Sequence, residues 1–261
     1  MTELAALVEF AEGYGVRCTE PRVLRDRANL LVHLHPAPVV ARLPGLVRAL
    51  RRDTERRLSV DLELAGFLHE RGIPVVAPST ELPPGPHRIG GRSCTFWTFH
   101  QLVGGTPGPG EMRTGIAAMH AALSGYEGDL TGLGPLADLR LGLERLDWSD
   151  QERVIIDTKI ERFARLLAEL PAQPLHGDAH SGNALVTTQG LVWTDFEDSW
   201  RGPVEWDHAV AALGAVPVGP PQRGAAVDQC SALRALHGAM WQQVLRPGTE
   251  TAARARARLL V

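Results

Sequence analysis

The chain of 261 residues has few cysteines, no long apolar run and no excess of positive charge. Its three cysteines, Cys18, Cys94 and Cys230, lie far apart and form no CxxC pair, so the sequence predicts neither a disulfide framework nor a structural zinc site. No segment reaches the roughly 20 apolar residues that span a bilayer, and a net charge of -3 gives no broad basic surface for nucleic acid. The first residues are acidic, unlike the basic start of a signal peptide. We therefore expect a cytoplasmic protein that binds neither membranes nor nucleic acids.

Lysine is also almost absent, because Lys159 is the only lysine among the 27 basic residues. A Walker-type phosphate loop requires a lysine that is followed by serine or threonine. Ile160 follows Lys159. The sequence therefore excludes this nucleotide-binding motif.

The pattern of the chain changes near residue 104. The earlier part has one short helix over residues 3–12, one amphipathic helix over 58–70, and apolar runs that are typical of strands. These runs are "RVLRD", "NLLVHLH", "PVVARL", "IPVVAPS" and "SCTFWTFHQLV". The segment "GGTPGPG" then indicates a linker, because its glycines and prolines sustain neither a helix nor a central strand.

Helical spacing dominates the rest of the chain. The predicted helices cover residues 111–123, 136–144, 149–170, 203–213 and 222–244, and the Arg/Ala-rich end is typical of a solvated helix. A short hairpin around Gln189-Gly190 interrupts them. This order predicts an α+β protein with a small β-rich N-terminal lobe over residues 1–102, a hinge at about 98–103 and a larger, mainly helical C-terminal lobe over residues 103–261.

Three polar residues flank the predicted hairpin. Asp178 and Asn183 lie five residues apart in the loop "HGDAHSGN", and Asp195 follows the second strand in "LVWTD". A hairpin returns the end of its second strand to the start of its first, so we expect these three side chains to converge. Carboxylate and amide oxygens are ligands that suit Mg²⁺. In such a site Asp178 is available to accept a proton from an alcohol that attacks phosphorus.

The blocks "HGDAHSGN", "VWTDFED" and "GPVEWDHA" occur in this order in the sequence. They resemble the motifs of the aminoglycoside phosphotransferase and choline kinase family, small-molecule relatives of protein kinases. The resemblance implies a bilobal protein-kinase-like fold and transfer of the γ-phosphate of ATP or GTP to a hydroxyl group of a small molecule. It makes Asp178 the catalytic base, and His176 a residue that orients the loop backbone. It also implies that Asn183 and Asp195 hold Mg²⁺ and that Asp207 braces the catalytic loop.

The sequence departs from this family at the phosphate-binding lysine of the third strand. Arg42 in "VVARL" occupies that position, and its planar guanidinium is not equivalent to an ammonium group. The acid that pairs with this cation falls on Asp61 by spacing, with Glu63 as the alternative. The first hairpin also lacks a glycine-rich phosphate loop.

The resemblance further places the adenine-binding hinge between Thr98 and Leu102, including His100. The acceptor pocket falls in the helical region of residues 111–170 and 215–261, which carries no diagnostic motif. Glu197 and Asp198 are positioned to attract a cationic acceptor, or to act as supporting groups of the metal site or as loop caps.

Two other functions are compatible with parts of the pattern. His176, Asp178 and His180 form H-x-D-x-H, a ligand set for a zinc-dependent hydrolase that Asp195 would complete. The missing lysine instead favours a nucleotide-binding pseudokinase that keeps the cleft without catalysis. The hydrolase leaves Asn183 and the "DFED" block without a role.

Overall fold

The structure is a computed structural model that describes residues 2–27, 29–45, 51, 53–213 and 224–260. Helices and strands follow one another along the chain as follows: α1 (Glu3–Gly13), β1 (Cys18–Asp26), β2 (Asn29–Pro36), β3 (Val39–Pro44), α2 (Thr54–Glu70), β4 (His87–Ile89), β5 (Arg92–Thr98), α3 (Pro109–Leu123), α4 (Pro135–Arg145), α5 (Asp150–Ala168), β6 (Gln173–Pro174), β7 (Ala184–Thr187), β8 (Gly190–Trp193), β9 (Arg201–Gly202), α6 (Glu205–Leu213), α7 (Ala225–Leu245) and α8 (Glu250–Leu260).

The described residues divide into two compact units. The first consists of those within 1–48, 52–105 and 185–197, and the second of those within 49–51, 106–184 and 198–261. The hairpin of β7 and β8 therefore lies almost entirely in the first unit, although it follows the helical segments in sequence. Within the described residues, no helix is both long and apolar enough to cross a membrane.

An antiparallel five-stranded sheet forms the centre of the first unit, with the strand order β1-β2-β3-β5-β4. Strand β1 includes Pro21, which has no N–H to donate; the strand tolerates it because β1 is at the edge of the sheet. Apolar residues of the inner strands are buried and pack with α1 residues such as Leu7 in one core. This core fixes the position of β3, which carries Arg42.

The segment "IPVVAPS" is not a strand, contrary to the sequence prediction. It makes only isolated bridges, from Val75 to Trp193 and from Pro78 to Trp97. Its two prolines, Pro74 and Pro78, lack the N–H groups that a continuous ladder requires. The backbone of the segment still makes hydrogen bonds: the Val76 N–H donates to the Trp193 carbonyl at 2.8 Å. The predicted turn that follows instead contains the short strand β4.

The second unit is mainly helical, as predicted. Helix α7 packs against α4, α6 and α8, and α4 packs against α5. The C-terminal helix α8 is not simply a solvated helix, because Ala252, Ala255 and Leu259 on one of its faces are buried. Alanine and leucine at this spacing supply a narrow apolar stripe between the arginines. Cys18, Cys94 and Cys230 are all free and buried.

Candidate active site

The loop between β6 and β7 carries the "HGD" residues of the second unit. Gly177 in this loop has a φ of 86°, a conformation that L side chains rarely adopt. A Cβ atom at this position would also overlap the carbonyl oxygen of Asp198. Glycine is therefore required both by the backbone conformation and by the close approach of a neighbouring chain segment.

Asp207, on α6, holds this loop through its backbone. Its carboxylate accepts hydrogen bonds from the N–H groups of His176 at 3.0 Å and Gly177 at 2.9 Å. His120 of α3 lies 2.9 Å from the same carboxylate, and Trp206 donates to the Gly177 carbonyl at 2.7 Å. Asp207 is fully buried. The expected brace from the helix that follows the loop is therefore present.

Asp178 lies among several hydrogen-bond donors. Its Oδ1 accepts from Arg234 of α7 at 2.6 Å, and its Oδ2 lies 3.3 Å from both Asn183 Nδ2 and His180 Nε2. His176 is buried, and its Nδ1 accepts from the Asp178 N–H at 3.3 Å, so it acts on the loop backbone. Burial alone would raise the pKa of Asp178, but the charge of Arg234 and the contacts with His180 lower it below its usual range. Asp178 is therefore ionised at neutral pH.

Asn183 ends a short 3-10 turn directly before β7. Its Nδ2 donates to the Asp178 carbonyl at 3.0 Å, so the loop backbone orients the amide group. His180 caps the same turn, because its Nδ1 accepts from the Gly182 N–H at 2.9 Å. Among the described residues, no group of three or more His, Cys, Asp or Glu side chains is arranged to hold a metal ion. The structure thus gives no support to a hydrolase metal site built on His176, Asp178 and His180.

The first unit contains the other predicted residues. Arg42 of β3 forms an ion pair through Nη1 with Asp61 of α2, and through Nη2 with Asp195 at 2.7 Å and Glu197 at 2.8 Å. Asp61 Oδ1 also accepts from the backbone N–H of Phe196 at 2.8 Å. The acid that pairs with Arg42 is therefore Asp61 rather than Glu63.

This cluster crowds three carboxylates around Arg42 in a largely buried place. The side chains of Arg42 and Asp61 are 7% and 0% exposed. Burial raises the pKa of Asp61 to about 7, with a further contribution from the charge of Asp195, although Arg42 acts in the opposite direction. The pKa of Arg42 is raised by the three acids against the effect of burial, so the guanidinium stays charged. Three carboxylates surround one guanidinium, so a further cation would stabilise this cluster.

Asp195 itself has an unusual backbone. Its φ is 76°, and it is the only non-glycine residue with a positive φ in the described ranges. Aspartate adopts this left-handed conformation more readily than most residues. Strain of this kind costs free energy and is often found at functional positions. The conformation occurs two residues after β8, in the partly exposed stretch that follows the hairpin.

The predicted hinge residues join β5 to the hairpin. The N–H of Thr98 donates to the Ala77 carbonyl at 2.9 Å, so this amide is not available to a nucleotide base. Leu102 forms a bridge with Thr187 and is 52% exposed. His100 is half-buried, and burial lowers its pKa. The Gln101 carbonyl accepts a hydrogen bond from the Thr188 N–H at 3.2 Å, so the hairpin also engages part of this backbone.

Several residues at the site carry no signal in the sequence. Arg234 lies 56 positions from its partner Asp178, in a helix without a motif. Arg51 forms ion pairs at 2.5 Å with both Asp138 and Asp198, and His237 contacts Asp138 at 3.1 Å. Asp198 and Glu197 are thus already paired with arginines, an arrangement that their position after "DF" did not reveal.

Comparisons with known proteins place this geometry in context. A family model described as "Phosphotransferase enzyme family" matches residues 5–240. No curated protein matches the chain at a significant level.

Solved structures give clear matches at low identity. One is the amicoumacin kinase hAmiN in complex with AMP-PNP, Ca²⁺ and Ami, with a TM-score of 0.68, 14% identity, and coverage of 98% of this chain and 93% of that one. Choline kinase LicA from Streptococcus pneumoniae has a TM-score of 0.65 at 14% identity, with 99% of each chain covered. The streptomycin-ATP-APH(2")-IIa ternary complex has a TM-score of 0.62 at 14% identity, with 100% and 97% covered. These similarities confirm the α+β, protein-kinase-like fold class.

Proposed function

Because the chain belongs to the phosphotransferase enzyme family and is a kinase that acts on hydroxyl groups, we propose that it moves the γ-phosphate of ATP or GTP to a small molecule with Asp178 as the base. The observation that carries the proposal is the Arg42–Asp61 ion pair, which joins the two positions that the family pattern selects by spacing. Asp195, the predicted metal ligand, shares the same guanidinium.

Asp178 is the residue of the site that is suited to receive the proton of the acceptor. In the proposed step the acceptor oxygen bonds to the γ-phosphorus, the bond from phosphorus to the bridging oxygen breaks, and the hydroxyl proton passes to Asp178. Asp178 would accept this proton as the bond to phosphorus makes the hydroxyl acidic. Arg234 and Asn183 orient the carboxylate through the contacts described above.

Arg42, Asp195 and Asn183 are proposed to serve the nucleotide and its metal ion. The oxygen atoms of Asn183 and Asp195 fit Mg²⁺, which prefers carboxylate and amide oxygens and retains phosphate ligands. Mg²⁺ would supply neutralisation of the charge that develops on the phosphate oxygens. Arg42 is proposed to contribute positive charge toward the α- and β-phosphates while it holds Asp195. Backbone groups of His100 to Leu102 are proposed to bind the base.

The charged residues near Asp178 are relevant to which class of acceptor binds. Asp198, once a candidate for attracting a cationic acceptor, is paired with Arg51, and Asp138 is buried against the same arginine. Arg234, beside Asp178, is 24% exposed. A hydroxyl compound of small size is the proposed acceptor, as in the neighbouring choline kinase and antibiotic complexes. Its chemical identity requires a panel of alcohols, sugars, amino alcohols and hydroxy acids.

The test is the variant Asp178→Asn, which keeps the shape of the side chain and removes its negative charge. We expect turnover with the acceptor found in the panel to fall by about 10²–10⁴-fold, because the lost proton transfer acts mainly in the transition state. Nucleotide affinity, measured as the rise in melting temperature with Mg²⁺ and ATP, should stay nearly unchanged. Equal turnover of the variant and the wild type would contradict the assignment. If the wild type binds nucleotide but shows neither phosphate transfer nor slow nucleotide hydrolysis, the result would instead indicate a pseudokinase.

A further inference from the structure

A basic cavity lies between α5, α7 and α8 of the second unit, outside the candidate active site. Its volume is about 830 Å³, which is in the usual range for small-molecule sites. Five cations line it: Lys159, Arg162, Arg246, Arg254 and Arg258. Among the described residues that line it, none is acidic.

The positive charges that line the cavity lie close together and are poorly compensated by acidic side chains. Lys159 and Arg162 are three residues apart on α5, and Arg254 and Arg258 are four residues apart on α8. Like charges at these spacings repel one another and destabilise a helix. Arg254 has an ion pair with Glu250, but at 3.4 Å and with both side chains largely exposed, so it adds little. An anion between the two helices would relieve this repulsion.

The floor of the cavity is apolar and includes one unsatisfied acceptor. Phe163 of α5 and Leu236 and Ala239 of α7 supply the apolar surface. Gln242, also in the lining, has a buried Oε1 atom without a hydrogen-bond partner. An unpaired buried acceptor costs free energy. The cations and the apolar floor together suit a molecule with an anionic part and an apolar part.

The cavity is separated from Asp178 by the body of α7. Arg234 and His237 lie on the face of this helix that contacts Asp178 and Asp138. Ala235, Ala239 and Gln242 are on the roughly opposite face, given 3.6 residues per turn. A molecule in the cavity would not contact the proposed base, so the cavity is distinct from the acceptor site.

We propose that this cavity is a second binding site for a small organic phosphate. The arginines supply forked donors that match phosphate oxygens, and the apolar floor accommodates the organic part. The inference does not depend on the proposed role of Asp178.

The test compares two arginines of the same helix. Arg162 lines the cavity, whereas Arg165, one turn further along α5, does not, and both side chains are exposed. Binding of phenyl phosphate and inorganic phosphate is measured by calorimetry in EDTA, so that no metal ion supports phosphate binding at the active site. We expect phenyl phosphate to bind the wild type more tightly than inorganic phosphate. Arg162→Ala should weaken phenyl phosphate about tenfold, and Arg165→Ala by less than about twofold.

The double variant Arg254→Ala with Arg258→Ala extends the test to the other helix, with thermal melts as the check that each variant is folded. We expect it to abolish measurable binding of phenyl phosphate. Absence of binding to the wild type, no preference for phenyl phosphate, or equal losses in Arg162→Ala and Arg165→Ala would each overturn the proposal.

Discussion

Replacing Arg42 by lysine restores the residue that the family normally has on the third strand, yet we expect the change to be harmful. Arginine extends its terminal nitrogens farther from the backbone than lysine does, and aspartate is one methylene shorter than glutamate. The Arg42–Asp61 pair therefore spans a distance similar to that of a lysine–glutamate pair. In Arg42→Lys, the ammonium is too short to contact Asp61 and is also unable to fork to Asp195 and Glu197.

The magnitude follows from the burial of this pair. Removing one partner of a buried ion pair costs about 3–5 kcal/mol. Because lysine keeps the positive charge nearby, we expect Arg42→Lys to lower the free energy of unfolding by about 2 kcal/mol. Asp61→Glu inserts a methylene at a fully buried position and should cost about 2 kcal/mol as well. The double variant should lose only about 1 kcal/mol, which gives a coupling energy of about 3 kcal/mol.

The assay is urea unfolding followed by tryptophan fluorescence, together with the stabilisation by Mg²⁺ and ATP in thermal melts. Arg92→Lys in β5 is the matched control, because Arg92 pairs with Glu3 at a partly exposed position. We expect it to change the unfolding free energy by about 0.5 kcal/mol or less. If the Arg42→Lys, Asp61→Glu double variant is as unstable as the sum of its single changes, the compensation of side-chain lengths is wrong.

Two further predictions concern the loop and the pH dependence of stability. Gly177→Ala should reduce turnover at least tenfold and lower the melting temperature, because the new Cβ would overlap the Asp198 carbonyl; full activity in the steady-state assay would refute this. The contacts of Glu152 with Arg256, at 2.7 Å from each carboxylate oxygen, lower the pKa of Glu152 to about 2. The stabilisation is therefore present above the unfolded-state pKa of about 4.3 and is lost as the pH falls toward 2. Glu152→Gln should cost about 1 kcal/mol at pH 7 and almost nothing near pH 2 in urea titrations, and a pH-independent difference would contradict the assignment.

The sequence predicts the elements that have a strong local pattern. The helices around residues 58–70 and 149–170 and the hairpin after Asn183 are confirmed within a few residues, because periodic apolar positions and turn residues determine them locally. The prediction of a strand over "IPVVAPS" was wrong, since the two prolines outweigh the apolar composition of this segment. The pairing of Arg42 with Asp61 was expected from the family resemblance, which left Glu63 as the alternative acid.

Long-range partners could not be predicted in this way. The contacts of Arg234 with Asp178 and of Arg51 with Asp138 join segments that are 56 and 87 residues apart, and they depend on how helices pack rather than on local spacing. The burial of one face of the Arg/Ala-rich helix α8 was also not predicted. Its alanines are small enough to pack closely on α7, which a count of charges does not reveal. The roles of the site residues in catalysis stay predictions that the variants above test.

The hydrogen bonds of Asp207 also have a consequence for the conformation of the loop while the chain is being synthesised. Two loop amides 30 and 31 positions earlier in the chain acquire their acceptor only when α6 has been synthesised. Until then these N–H groups have only water as a partner, and the left-handed turn at Gly177 lacks the contact that favours it. A chain that ends before residue 207 therefore contains all the strands of the five-stranded sheet but lacks the native acceptor of these two N–H groups.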